Sequence, residues 1–133
     1  MPPASPGKMR KRREFLAAAR GRFFAMPLVV VQMRRRGDGE PPRCGFTTTR
    51  RIGNAVVRNR ARRRLREAVR RLPEGTLKSG HDYVFIARDG TARGPFGELA
   101  TQLRRAVEKL NAGKGHAATG GKRKGSRRKT ARR

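Results

Sequence analysis

The sequence predicts an α+β fold: one small mixed β-sheet with helices packed on it. Three observations predict it. Two long segments, Ala55 to Leu72 and Pro95 to Leu110, carry apolar residues at helical spacing. Two short β-branched or aromatic runs, Leu28 to Met33 and Cys44 to Thr49, flank the turn-forming residues Gly37 to Pro42. A third run, Asp82 to Arg88, is apolar at both parities in Tyr83-Val84-Phe85-Ile86-Ala87, as a strand covered on two faces would be.

The expected order is α-β-β-β-α-β-α. Lys8 to Arg20 reads as the first helix, because Phe15 and Ala19, then Leu16 and Phe23, recur at helical spacing before Gly21 interrupts them. Phe23 to Met26 adds a short strand before Pro27, and the next two runs read as a hairpin. Asn54 is placed to cap the second helix, which Pro73 and Gly75 end. Pro95 suits the opening of the last helix, whose stripe is Phe96, Leu99, Leu103, Ala106 or Val107, and Leu110 before Gly113. No internal repeat is present.

In 133 residues, 36 Lys and Arg stand against 9 Asp and Glu, a formal charge of +27. At 35% hydrophobic residues the chain can bury one modest core. The expected organisation is a disordered leader at 1–7, one RNA-binding domain at 8–111 and a disordered basic tail at 112–133. The tail holds nine Lys or Arg and no acid among Gly, Ser and Thr, so it reads as electrostatic glue. Such a field attracts polyanions, and nucleic acid is the default partner.

Other classes fall quickly. The longest apolar stretch, Ala25 to Val31, is broken by Pro27 and far shorter than the roughly 20 residues a bilayer needs. No membrane partner is expected. Arg20 and Arg22 break up the only candidate signal segment, although the Arg-rich start also has the composition of an organellar transit peptide. Cys44 is the only cysteine, which excludes a disulfide framework within the chain and makes a reducing cytoplasm the simplest setting. The nine acids are scattered, with only Asp38 and Glu40 close together, so no metal-ligand cluster and no catalytic residue are expected. His81 and His116 read as solvent-facing, and Cys44 as a small buried residue.

Residues 50–71, RRIGNAVVRNRARRRLREAVRR, hold ten Arg and one acid, Glu67. At about 100° per residue, Val57, Ala61, Leu65, Ala68 and Leu72 form one apolar face within roughly 80°. Arg62, Arg66, Asn59, Arg70 and Arg63 fall in a second arc, and Arg60, Arg64 and Arg71 in a third sector. Like charges three and four apart cost a helix a few tenths of a kcal/mol per pair, about 0.2–0.5, so something anionic must offset them. Arginine suits phosphate because its planar fork donates two parallel hydrogen bonds and can stack on a base. Asn59 is a mediocre helix former on the exposed side, where its amide can meet a base edge or ribose. Arg50 and Arg51 add two cations at the helix N-terminus, where free amides already favour an anion, and Gly53 reads as a backbone position closed to other residues.

The string Arg51-Ile52-Gly53-Asn54-Ala55-Val56-Val57-Arg58-Asn59-Arg60, with Arg62-Arg63 and Leu65-Arg66-Glu67, closely resembles the signature of the bacterial ribonuclease P protein component. The likeness runs from about Met9 to Asn111 and leaves the two tails outside. It implies a subunit that assists a catalytic RNA in removing the 5′ leader of precursor tRNA. Its partners would be that RNA and the precursor tRNA, with no further protein required. The cleaving Mg2+ ions would be held by the RNA, and no cofactor by the protein alone. By the same resemblance Arg58, Asn59, Arg60, Arg62, Arg63 and Arg66 would touch the catalytic RNA, and a cleft between the first helix and the sheet would receive the leader. Phe15 matches a cleft position. Ala19 and Val31 stand where many members have aromatics, so leader contacts are expected to rely on backbone and cationic groups. The family fold also carries a left-handed crossover between parallel strands, against the general rule. A ribosomal or general RNA-binding protein would share the charge, size and tail, and only the ordered motif argues against it; a DNA-compacting protein would need no Asn within the ridge.

Overall fold

The computed structural model describes residues 6–117. Its elements are β1 (Gly7–Lys8), α1 (Arg12–Ala19), β2 (Arg22–Met26), β3 (Val29–Arg35), β4 (Arg43–Thr47), a 3-10 turn (Arg50–Ile52), α2 (Ala55–Arg70), β5 (His81–Ala87), α3 (Phe96–Asn111) and β6 (His116–Ala117). They build the expected α+β architecture on one mixed sheet of order β1-β4-β5-β3-β2-β6. The expected order of seven elements is all there. Two-residue strands are added at both edges: β1 runs parallel to β4, and β6 runs antiparallel to β2. The ordered unit thus begins at Gly7, inside the expected 1–7 leader, and reaches Ala117, past the expected boundary at 111. Residues 118–133 of the expected tail lie outside the described residues.

The expected hairpin between the second and third runs does not form. β5 lies between them, antiparallel to β3 from Val29↔Ala87 to Arg35↔His81 and parallel to β4 from Arg43↔Asp82 to Thr47↔Ile86. A strand apolar at both parities needs cover on both faces and partners on both edges, which puts it at the centre. The hairpin partner of β3 is β2, joined through Pro27 and Leu28, with Met26 opposite Val29. The first helix is also shorter than expected. Met9 is buried and its N–H donates to the Cys44 carbonyl at 3.0 Å, so the chain is still extended along β4 there. Helix α1 starts only where the Glu14 carboxylate accepts from the N–H groups of Arg10 (2.9 Å) and Lys11 (3.1 Å).

Side chains alternate across the sheet. One face presents Val29, Val31, Cys44, Tyr83 and Phe85 to α2 and α3, which bury Ala61, Leu65 and Ala68, and Leu99, Leu103, Ala106, Val107 and Leu110. This is the main core, and each fully buried leucine in it contributes about 2 kcal/mol over an exposed one. The other face meets α1 in a smaller cluster of Met9, Phe15, Ala18, Val84 and Ile86.

At the edge where β5 begins, Asp82 is fully buried. Arg43 donates to both its oxygens at 2.8 Å, Arg36 donates to Oδ1 at 2.6 Å, and Arg34 stands 3.7 Å away. Arg43 also reaches Glu14 at 2.7 Å, and Arg36 holds Asp38 through two bonds of 2.9 and 3.0 Å. The network joins α1, β3, β4, β5 and the 37–42 loop. Burial alone would raise the Asp82 carboxyl, but the hydrogen bonds from Arg43 and Arg36 outweigh it and hold the group below its ordinary value. Backbone donation from Lys11 and Arg10, helped by Arg43, lowers Glu14.

Asp82→Asn keeps the shape and leaves two guanidiniums without their charge partner. Urea unfolding at neutral pH should show a loss of about 3 kcal/mol, the cost of breaking one side of a buried pair. Because both carboxyls are depressed, the stability they give is present above the ordinary carboxylate range near pH 4 and is lost as pH falls through the folded values. The Asp82→Asn variant should therefore lose less stability than the parent between about pH 4 and pH 2. Equal acid losses would show that another group carries the titration.

Candidate nucleic-acid interface

Helix α2 forms where the arginine-rich string begins, for local reasons. The Asn54 side chain accepts from the Val57 N–H at 3.0 Å and caps it. Gly53 has φ of 149°, and a Cβ there would stand 3.0 Å from the Val57 side chain, so glycine is required. Ala61, Leu65 and Ala68 then seat the helix on the sheet and α3, as the expected apolar face does, with Val57 and Leu72 half-buried at its ends.

The arginines divide into two flanks. Toward β4, Arg58 donates to the Gly53 carbonyl at 2.9 Å, Arg62 donates to Thr48 Oγ1 at 2.8 Å, and the Arg66 guanidinium lies 5.6 Å from the Phe46 ring centre. Toward α3, Arg64 donates to the carbonyl of Thr91 at 2.7 Å and to that of Gly94. Asn59, Arg60, Arg63, Arg66 and Arg70 line the helix, with Asn59, Arg60, Arg63 and Arg66 turned to solvent in differing degree and Arg58 and Arg62 more tightly held. Arg70 has only a 3.6 Å ion pair with Glu67 on an exposed surface, worth little. Arg50 and Arg51 sit exposed in the 3-10 turn beside the helix start.

These bonds aim the ridge without neutralising it. The acceptors on the β4 flank are carbonyl and hydroxyl oxygens, so each guanidinium keeps its charge and has N–H groups to spare for phosphate. Asn59 accepts from Arg62 at 3.0 Å through its amide oxygen, which leaves its NH2 group to donate outward. The structure brings together Arg58, Asn59, Arg62 and Arg66 on one flank and places Arg60 on the other.

The opposite face of the sheet, where the resemblance puts the leader cleft, is the one α1 packs against. Phe15 lies on the backbone of β4, because a Cβ at Gly45 would fall 2.5 Å from the Phe15 ring. Ala19 is exposed at the end of α1. Val31 is not in this cleft: it is fully buried in the main core, opposite Phe24 and Phe85. A one-residue offset moves a strand residue to the other face, and Val30 and Gln32 are the β3 residues facing α1. Gly45 and Gln32, which belong to no motif, and Ile86, whose run is apolar at both parities, also face α1, and only the register of β3 and β4 against β5 reveals it.

Among the described residues, no group of three or more His, Cys, Asp or Glu stands together as metal ligands, and no helix is long and apolar enough to cross a membrane. The Cys44 thiol is pushed up to about 12, by burial first and then by Asp82, which leaves it un-ionised and unreactive near neutral pH. His81 is half-buried, its Nδ1 2.9 Å from the Ser79 carbonyl oxygen, and His116 lies in β6 at the sheet edge.

Residues 5–111 match the family model described as Ribonuclease P. The ribonuclease P protein component of Gluconacetobacter diazotrophicus is 50% identical over 103 residues, covering 77% of this chain and 89% of that one. That of Ruegeria pomeroyi is 49% identical over 109 residues, covering 80% and 87%. Among solved structures, the RNase P protein from Thermotoga maritima superposes with a TM-score of 0.65 at 29% identity, over 76% of this chain and 94% of that one. The Staphylococcus aureus RNase P protein gives 0.67 at 22% identity, over 84% and 99%, a likeness of fold. The signature on α2, the fold and a match across nearly all the described residues agree: the chain belongs to the ribonuclease P protein family.

Proposed function

We propose that the chain is the protein subunit of a cytoplasmic ribonuclease P ribonucleoprotein, binding the catalytic RNA and the 5′ leader of precursor tRNA so that RNA cuts the leader away. The observation that carries this is the arginine ridge of α2. It is seated on the core by Ala61, Leu65 and Ala68, and its guanidiniums are aimed by neutral acceptors that leave their charge available. Arg58, Asn59, Arg62 and Arg66 would hold phosphates and ribose of the catalytic RNA, with Arg63 and Arg70 extending the contact and Arg50 and Arg51 meeting phosphate at the helix start.

The leader would lie in the cleft on the other face, along Phe15, Gly45 and the exposed rim near Ala19. With one ring on this floor, contacts to sugar and phosphate outweigh base stacking, and a strand held this way is recognised with little regard for its sequence. The Mg2+ ions that cut would be held by the RNA. A polypeptide of this charge lowers the repulsion between two RNAs, a task that dissolved magnesium would otherwise perform. A general RNA-binding role is the weaker reading, since family membership and the ordered motif favour a subunit with a place in cleavage.

Precursor tRNA cleavage by the catalytic RNA at low magnesium should be much faster with the chain than without it. Equal rates would defeat this reading and leave the general RNA-binding one. Arg62→Ala combined with Arg66→Ala should weaken binding to the catalytic RNA and flatten the dependence of log affinity on log salt by up to about two units, roughly one per lost phosphate contact. An unchanged slope would show that neither side chain neutralises phosphate.

A further inference from the structure

The α3-facing flank of α2 forms a groove that the ridge does not explain. About 540 Å3 in volume, it is lined by Arg60, Arg63, Arg64, Glu67, Arg71 and Phe96. Two of these arginines face the ring: the Arg71 guanidinium is 4.9 Å from the Phe96 centroid and that of Arg64 is 5.8 Å away. Arg64 is fixed in place by the carbonyls of Thr91 and Gly94, and Thr91 is itself fully buried, donating to the Leu28 carbonyl at 2.6 Å. The wall is therefore rigid. Glu67, the one carboxylate here, already holds Arg71 at 3.1 Å and Arg70 at 3.6 Å. Arg60 and Arg63 have no hydrogen-bond or ion-pair partner from their side chains among the described residues.

Four cations against one engaged carboxylate, beside a half-buried aromatic ring, match an anion that also carries a flat face. A nucleotide has both. Arg60 and Arg63, one turn apart, can take a phosphate between their forks, while a base stacks on the guanidinium plane that Arg71 holds over Phe96. Arg60, Arg64 and Arg71 lie roughly 120–180° around α2 from Arg62 and Arg66, on a rod about 10 Å across with its side chains, so a strand lying along that ridge does not reach them, while Arg63, about 60° from Arg66, stands at the border of the two surfaces. The groove is also on the face of the sheet opposite Phe15, away from the leader cleft. We propose that Arg60, Arg71 and Phe96, with Arg63 at the border to the ridge, form a second RNA-binding groove, which takes an unpaired nucleotide from a segment of the catalytic RNA distinct from the one on the ridge. The inference rests on the ribonuclease P reading and adds to it that α2 is held from two sides.

The test uses the full chain assembled with its catalytic RNA. A photoreactive benzoylphenylalanine replacing Phe96 keeps a ring in place and should crosslink to the catalytic RNA at nucleotides different from those captured by the same group at Asn59. Phe96→Leu keeps the apolar filling and removes the ring, and it should weaken catalytic-RNA binding about tenfold, as loss of one stacked base does, with its melting temperature near that of the parent. Arg71→Gln leaves the core untouched and should weaken binding in the same direction. The groove is refuted if position 96 crosslinks to no RNA in an assembled complex, to precursor tRNA instead, or to the nucleotides captured from position 59. Unchanged affinity in both Phe96→Leu and Arg71→Gln overturns it equally. In each of these outcomes the parent chain still stimulates cleavage, whereas failure of the ribonuclease P reading would abolish that stimulation itself.

Discussion

Asp82 shows how a chain with so little negative charge stays folded. It is the single fully buried carboxylate among the described residues, and the arginines that close on it come from both neighbouring strands and the loop beyond β3. Without it, Arg36 and Arg43 would stand side by side at the start of the central strand with nothing to separate their charges. The same group sets the register: Arg43 lies opposite Asp82 across the parallel pair, and Arg34 opposite it across the antiparallel one. A strand slipped by one residue would turn Asp82 to the other face of the sheet, away from Arg36 and Arg43.

Elsewhere, apart from Arg70 and Arg71 at Glu67, the chain holds its arginines with oxygen that carries no formal charge. Arg22 donates to the Lys114 and Gly115 carbonyls, Arg58 to Gly53, Arg64 to Thr91 and Gly94, and Arg88 to Met26. These bonds give geometry and leave the positive field intact, and that combination is what a surface for phosphate requires. Neutralisation by carboxylates is concentrated at the Asp82 edge, remote in the fold from the start of α2. The ridge and the groove are thus the places where the excess charge is displayed on a rigid support.

Helices α2 and α3 were legible because their apolar faces persist over four turns, and Leu99, Leu103 and Leu110 sit where the spacing puts them. Asn54 and Gly53 were legible as a cap and a special turn. Strand pairing was not. The turn residues at 37–42 fit a hairpin as well as they fit the connection observed, and only the long-range bonds of Arg36 and the central position of β5 decide between the two. Strands of two residues, Gly7–Lys8 and His116–Ala117, have no period to read. Val31 illustrates the limit for the site. The run Val29-Val30-Val31 is apolar at every position, so its pattern does not say which residue faces α1, and an inference from where relatives carry an aromatic assigns it to the wrong face.

Strand β4 ties the two halves of the proposed function together. Phe46 points toward α2 and receives the Arg66 guanidinium, while its neighbour Gly45 points the other way and receives the Phe15 ring. Thr48, just past the strand, anchors Arg62. On the proposed reading, the surface for the catalytic RNA and the cleft for the leader would be set one residue apart on a single stretch of backbone. Phe46 stacks on Phe85 of the central strand at 5.6 Å, which keeps that stretch from shifting. A subunit that breaks no bond would still govern where one is broken by fixing the distance between two RNAs, and on the proposed reading that distance would be little more than the thickness of one strand with its side chains.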